Sequence, residues 1–105
     1  MAVKKQYGSF QEMIAESDLP VLVDFYAPWC GPCQIMAKVL EQVNTEMKDQ
    51  LRVVKINTDN YPELASRYRV EALPTLVLFK QGQPVDRIEG ALQAPQLMQR
   101  LRSFV

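Results

Sequence analysis

The chain of 105 residues is 48% hydrophobic and sets twelve basic side chains against twelve acidic ones. A chain of that length implies a single domain over residues 1–105 with one core and no need of a metal or disulfide staple, and the charge balance argues against a nucleic-acid partner or a basic membrane-binding segment. Histidine is absent, which excludes Ser–His and Cys–His nucleophilic pairs and leaves proton transfer to Asp, Glu, Lys, Tyr or Cys.

The opening MAVKKQYGSF carries two lysines but no apolar stretch of the kind a signal sequence needs. No apolar run approaches the ~20 residues of a membrane span. A reducing interior is therefore the expected setting, and there a cysteine pair is redox-active or metal-binding rather than structural. Residues 2–6 read as a short edge strand. Residues 8–17 place Phe10, Met13 and Ile14 on one helical face, with Ser9 as the cap. VLVDFYA at 21–27 is an almost continuous apolar run, as expected of a strand covered on both faces. From Cys33 to Met47 the period changes to that of a helix, with Ile35, Met36, Val39, Leu40, Val43 and Met47 in one stripe.

LRVVKIN at 51–57 reads as a second, parallel strand, and Asn60-Tyr61-Pro62 as the opening of a short helix through Arg69. TLVLFK at 75–80 and PVDRIEG at 84–90 flank Gln81-Gly82, a hairpin signal. Leu97, Met98, Leu101 and Phe104 mark a last amphipathic helix. The order (β)αβαβαββα calls for right-handed crossovers and an antiparallel hairpin, hence an α/β sandwich with a mixed central sheet between helices. The methionines at 36, 47 and 98 and the tyrosines at 26, 61 and 68 are read as packing residues.

Cys30 and Cys33, the only cysteines, sit where a strand gives way to a helix. Side chains three apart on a helix are neighbours, with Cβ atoms about 5–6 Å apart, so a disulfide closes with little backbone movement. Its ring is too small to stabilise much, about 2 kcal/mol by loop entropy; it suits a reversible switch. Cys30, in the first turn, faces unpaired N–H groups and the positive end of the helix dipole, which favour a thiolate. Cys33, one turn further in, is less accessible. Cys30 is thus expected to attack and Cys33 to resolve. Pro32 rigidifies the spacing, and Gly31 lets another chain come close. The competing reading is half a zinc site, which only a dimer would complete, since zinc normally takes four ligands.

Asp24 is out of place in a core strand. Val21, Val23, Phe25 and Ala27 alternate with Leu22, Asp24 and Tyr26, and a carboxyl among apolar side chains has a raised pKa. If the helix after Trp29 folds over Asp24's face, the acid is placed to take the proton of Cys33, with Lys55 at the matching position of the next strand to share it. The plainer readings are a satisfied buried polar group for Asp24, a snorkelling surface chain for Lys55 and hinge packing for Trp29.

FYAPWCGPC resembles the active-site motif of the thioredoxins, and VLVDF, VVKIN, ALPTLVLFKQG and EGA (89–91) extend the resemblance over essentially the whole chain. The resemblance implies the thioredoxin fold, with a mixed central sheet of four to five strands flanked by four helices, and a protein disulfide reductase acting without a bound cofactor or metal. It makes Cys30 the attacking and Cys33 the resolving cysteine, Asp24 the buried acid, Lys55 its neighbour, and Pro74 a cis-proline facing the disulfide. The shallow substrate surface is then Trp29, Gly31, Pro32, Leu73, Pro74, Thr75, Gly90 and Ala91, with the Leu73 backbone pairing with an extended substrate segment.

FYA-WCGPCQ, VVKI, YRVEALPT and DRIEGAL are most similar to the y-type thioredoxins of plastids and their cyanobacterial relatives. That likeness implies a thioredoxin reductase, ferredoxin- or NADPH-dependent, as electron source, and peroxiredoxins and other disulfide-bearing proteins as targets of a monomer. The implied location is a bacterial or cyanobacterial cytoplasm, or the plastid stroma for a trimmed mature chain. The chain departs from the family at Lys38, where many members have a helix-kinking proline, and at Glu89, which sets an acid near the substrate rim. A non-catalytic binding or chaperone-like subunit using the same apolar surface is the alternative function.

Overall fold

The computed structural model describes residues 9–105, so the strand expected over 2–6 lies outside the described residues. The elements are α1 (Phe10–Glu16), β1 (Val21–Tyr26), α2 (Gly31–Met47), β2 (Arg52–Asn57), α3 (Pro62–Arg67), β3 (Thr75–Lys80), β4 (Gln83–Glu89) and α4 (Ala94–Arg102). The four strands make one sheet in the order β2-β1-β3-β4. β1 runs parallel to β2, joined through α2, while β3 pairs antiparallel with both β1 and β4. This is the mixed sheet that the order of elements demanded. Gln81 and Gly82 turn the β3–β4 hairpin with φ of 52° and 81°, the paired positive φ values of a tight two-residue turn.

Strand alternation divides the core in two. Leu22, Leu76 and Leu78 pack beneath α2 and α4 through Met36, Leu40, Val43, Met47, Leu97 and Leu101. Val21, Val23, Phe25, Val77 and Phe79 face Ile14 of α1, with Leu64 and Tyr68 packed at the margin. The Tyr68 ring meets Phe10 and Phe79 edge-on, with centroids 5.7 and 5.3 Å apart. Helices thus cover both faces, and α2 lies over the side of the sheet to which Leu22 points, which alternation makes Asp24's side too.

Several expectations change. Ile35 is 64% exposed and is not part of the stripe; the buried line is Cys33, Met36, Leu40, Val43 and Met47, spaced by three and four residues, and Ile35 lies about 100° round from Met36. Tyr61 is exposed rather than packed, because it precedes the first turn of α3 instead of lying on its inner face. α3 stops at Arg67, two residues short of the expected end, because Arg69 turns left-handed with φ 53°. β2 is only partly buried, since among the described residues it has a neighbour on one side alone. Ser9 caps α1 by accepting from the Glu12 N–H at 3.1 Å, as expected. Phe104 packs on the α2–α4 core from beyond the end of α4.

Candidate active site

β1 ends at Tyr26 and α2 begins at Gly31, so the intervening turn delivers Cys30 to the N-cap of a 17-residue helix. Cys30 has the extended φ and ψ of a cap, −90° and 112°, and its Sγ accepts from the Cys33 N–H at 3.2 Å. Pro32 stands in the first turn, where its missing N–H would be unpaired anyway. The two cysteines form a disulfide with Cα atoms 5.3 Å apart, within the range that needs no backbone distortion. Once reduced, the sulfur at position 30 inherits the amide and the dipole that favour its thiolate.

Both cysteines are nearly buried by area. Their difference lies in what they face: Cys30 lines a cleft of about 400 Å³ and Cys33 does not. Trp29, Gly31, Pro32, Thr58, Val70, Glu71 and Leu73 complete the cleft. Trp29 is 71% exposed, and its indole N–H donates to the Asp59 carboxylate at 3.2 Å. Leu73 packs against the small buried cluster of Ala27, Cys30 and Cys33. A Cβ built on Gly31 meets nothing within 4 Å, so the space over the disulfide is free for another chain.

Four of the residues expected at this surface are placed differently. The Leu73–Pro74 bond is cis, but Pro74 is buried and does not line the cleft. Thr75 is fully buried, its hydroxyl donating to the Ala72 carbonyl at 2.6 Å; it supports the loop from within. Gly90, φ 87°, donates its N–H to the Pro74 carbonyl at 2.9 Å. It and the exposed Ala91 therefore adjoin the cis-proline without lining the cleft. Glu89 is also not at the cleft: it pairs with Arg87 at 3.1 Å and faces a neighbouring groove. Lys38 is exposed on α2, which runs unbroken through it as the absence of proline predicts.

Asp59, Thr58, Val70 and Glu71 were not anticipated. The signal for Asp59 was available in part. An exposed tryptophan N–H seeks an acceptor, and the β1–β2 register sets Tyr26 beside Asn57, which brings the following turn to Trp29. There the Thr58 N–H and hydroxyl both donate to the Tyr26 carbonyl, at 2.9 and 3.2 Å.

Asp24 is 1% exposed, and neither carboxyl oxygen has a hydrogen-bond partner among the described residues. The reading of a satisfied polar group is therefore set aside. Burial lifts its pKa from 3.8 to about 6, with Lys55, its partner across the β1–β2 pairing, pulling the other way. Lys55 is exposed, its ammonium 4.9 Å from the centroid of the Tyr26 ring. It snorkels along β2 while still acting on Asp24 through space. Among the described residues no cluster of three His, Cys, Asp or Glu is placed to hold a metal ion.

Residues 1–103 match the family model described as Thioredoxin. The chain belongs to the thioredoxin family. It is 63% identical to a thioredoxin-like protein of Synechocystis sp. over the full length of both. It is 54% identical to Thioredoxin Y1, chloroplastic, of Arabidopsis thaliana, over 95% of this chain but only 58% of that relative's length. Thioredoxin 1 of Nostoc sp. is 45% identical over 93% of this chain and 92% of its own. With its cysteine pair intact, this thioredoxin-family chain is a thiol–disulfide oxidoreductase whose chemistry is thiol–disulfide exchange in electron transport and redox homeostasis. Its partners in general are a reductase and disulfide-bearing targets.

Proposed function

We propose that the chain reduces disulfides in other proteins, with Cys30 as the nucleophile. Its thiolate attacks a target disulfide, forming a Cys30–target disulfide and expelling one target thiolate. Cys33 then gives up its proton and attacks the Cys30 sulfur, releasing the second target thiol and leaving the Cys30–Cys33 disulfide. Two electrons pass to the target. Asp24 is the acceptor of the Cys33 proton: with a pKa of about 6 it is mostly ionised at pH 7, and so a usable base. Lys55 tunes that acid by its charge. Trp29, Gly31, Pro32 and Leu73 receive the target segment, and the buried Pro74 and Thr75, with Gly90 and Ala91 beside them, hold the Leu73 backbone in place to pair with it.

The observation that carries this reading is the inequality of the two sulfurs, one capping a helix in an open cleft and one on the buried line of α2, over the face that holds a carboxyl without a hydrogen-bond partner among the described residues. A module that only clamped its partners would have no use for Asp24. The electron source is a thioredoxin reductase, ferredoxin-dependent before NADPH-dependent, because the relatives named above include cyanobacterial and chloroplast proteins. The same likeness supports peroxiredoxins among the targets, a monomer as working unit, and the cytoplasm of a cyanobacterium or the plastid stroma as the compartment.

The test is reduction of insulin by dithiothreitol, followed as precipitation of its B chain, with wild type, Cys30→Ser and Cys33→Ser. Wild type alone should accelerate the reaction, and reduced Cys33→Ser should accumulate a mixed disulfide through Cys30. No acceleration by wild type would overturn the proposal and leave a binding module.

A further inference from the structure

The cleft at Cys30 does not end at Glu71. That residue also lines a second and larger groove, about 600 Å³, whose floor is β3 and β4 and whose wall is the α3–β3 connection. Val70, Glu71 and Leu73 line the cleft; Arg67, Tyr68, Arg69 and Glu71 line the groove. One segment, shared at Glu71, thus borders both and leads away from the disulfide.

Arg69 is the odd member of that path. α3 ends in a Schellman turn, with the Arg69 N–H donating to the Ser66 carbonyl at 3.1 Å and the Val70 N–H to the Ala65 carbonyl at 2.8 Å. The residue that turns left-handed there is normally glycine. Here it is arginine at φ 53°, a conformation that strains a side-chain-bearing residue. The side chain gains nothing in return among the described residues, where neither its guanidinium nor that of Arg67 has a partner. The backbone is nonetheless held firmly: the Arg87 guanidinium donates to the carbonyls of Tyr68 and Arg69. Arg87 and Asp86 have their own partners in Glu89 and Arg100, so the groove charges left without a partner among the described residues are two arginines and, nearer the disulfide, Glu71. A backbone outlier whose charged side chain is unused by the described residues, beside a binding cleft, points to use by a partner.

Resting on the reductase reading above, we infer that Arg69, with Arg67, selects protein partners that carry a carboxylate about four residues from the cysteine attacked by Cys30, while Glu71 disfavours an acid placed closer. The spacing follows from reach: Leu73 and Arg69 are four residues apart, at most about 14 Å and less with the turn at Arg69 and the bend over 72–74, so four residues of an extended partner segment suffice to carry a carboxylate from the cleft to Arg69.

The experiment uses the reduced Cys33→Ser chain and synthetic nonapeptides whose single cysteine is carried as a mixed disulfide with neutral 2-thiopyridone. Cys30 attacks the peptide sulfur, the sulfur–thiopyridyl bond breaks and 2-thiopyridone is released; the released absorbance gives the rate. The peptides differ only in bearing Glu or Lys, either four or two positions from the cysteine. Glu at four positions should react about three- to fivefold faster than Lys there, the scale of one exposed ion pair. The preference should shrink at high salt and reverse at two positions. Arg69→Gly should abolish the preference at four positions while raising the melting temperature, which separates loss of selection from loss of fold; Arg69→Glu should invert it. Neutral 2,2′-dipyridyl disulfide should react equally with all variants. Equal rates for Glu and Lys peptides, or a preference that survives Arg69→Glu, would overturn the inference and leave the reductase reading intact. No release from any peptide would overturn the reductase reading, and this one with it.

Discussion

Asp24→Asn should make the protein more stable, and only above about pH 4. The carboxyl's ordinary pKa of 3.8 rises to about 6 in the fold because burial strips its water, and neither oxygen gains a hydrogen bond in return among the described residues. An acid whose pKa is raised on folding binds more protons folded than unfolded between those two values. Stability therefore falls as pH rises through that window, is fully present below it and stays low above it. At about 1.4 kcal/mol per pH unit the difference amounts to about 3 kcal/mol by pH 7. The Asn variant keeps the shape and loses the titration. Urea unfolding of the oxidised wild type and variant at pH 3.5, 5 and 7.5 should show the two converging at acid pH and separating by about 3 kcal/mol at pH 7.5, a midpoint shift of roughly 1–3 M. In the same variant, loss of the proton acceptor should slow resolution by Cys33 without slowing the first attack by Cys30 on a small disulfide. A difference in stability that stays constant across pH would refute the reasoning, because it would mean that the carboxyl titrates alike folded and unfolded.

A second titration has the opposite sign and a separate window. The hydrogen bond from Arg100, 2.7 Å long, holds the Asp86 carboxyl below its ordinary range, so its contribution is present above that range and lost as pH falls through the depressed value; Arg100→Met should flatten stability below pH 4 and leave the Asp24 window untouched in urea titrations. Gly82→Ala should lower the melting temperature by about 5–10 °C, because φ is 81° and the new Cβ would lie 3.4 Å from Ala15; calorimetry checks it. Met36→Ala, in the core beneath α2, should cost about 2–5 kcal/mol in urea unfolding. Asp59→Ala should free the indole of the chain's one tryptophan, seen as lower fluorescence anisotropy with a stability change under about 1 kcal/mol.

The parts of this fold legible in the sequence are those governed by period and punctuation. The alternation in VLVDFY separates the two cores, Gln81-Gly82 makes the hairpin turn, and the three-residue spacing of the cysteines permits the disulfide. What was not legible depends on segments meeting across the fold. Thr75 reads as a surface residue by motif, but its hydroxyl is taken by the Ala72 carbonyl in a loop whose shape no periodicity encodes. Asp59 reaches Trp29 only because two parallel strands end in register. Ile35 falls beside the buried stripe of α2 rather than on it, a distinction of one residue that a hydrophobic pattern alone does not make.

Two residues stand out against local rules, and they do so in opposite directions. Asp24 is a buried acid with no hydrogen bond among the described residues, and Arg69 is a left-handed residue whose side chain has no partner among them. Such violations concentrate at functional sites. The first faces inward, toward the side of the sheet covered by the helix that carries Cys33, and in the proposed mechanism serves the step in which a bound partner is released. The second faces outward, along the groove that shares Glu71 with the cleft, where only a bound partner can supply what the fold withholds. Substitution separates them cleanly: Asp24→Asn should alter resolution whatever peptide is bound, whereas Arg69→Gly should alter the choice of peptide and leave resolution unchanged. Each is expected to stabilise the protein, so a defect in either cannot be ascribed to a weakened fold.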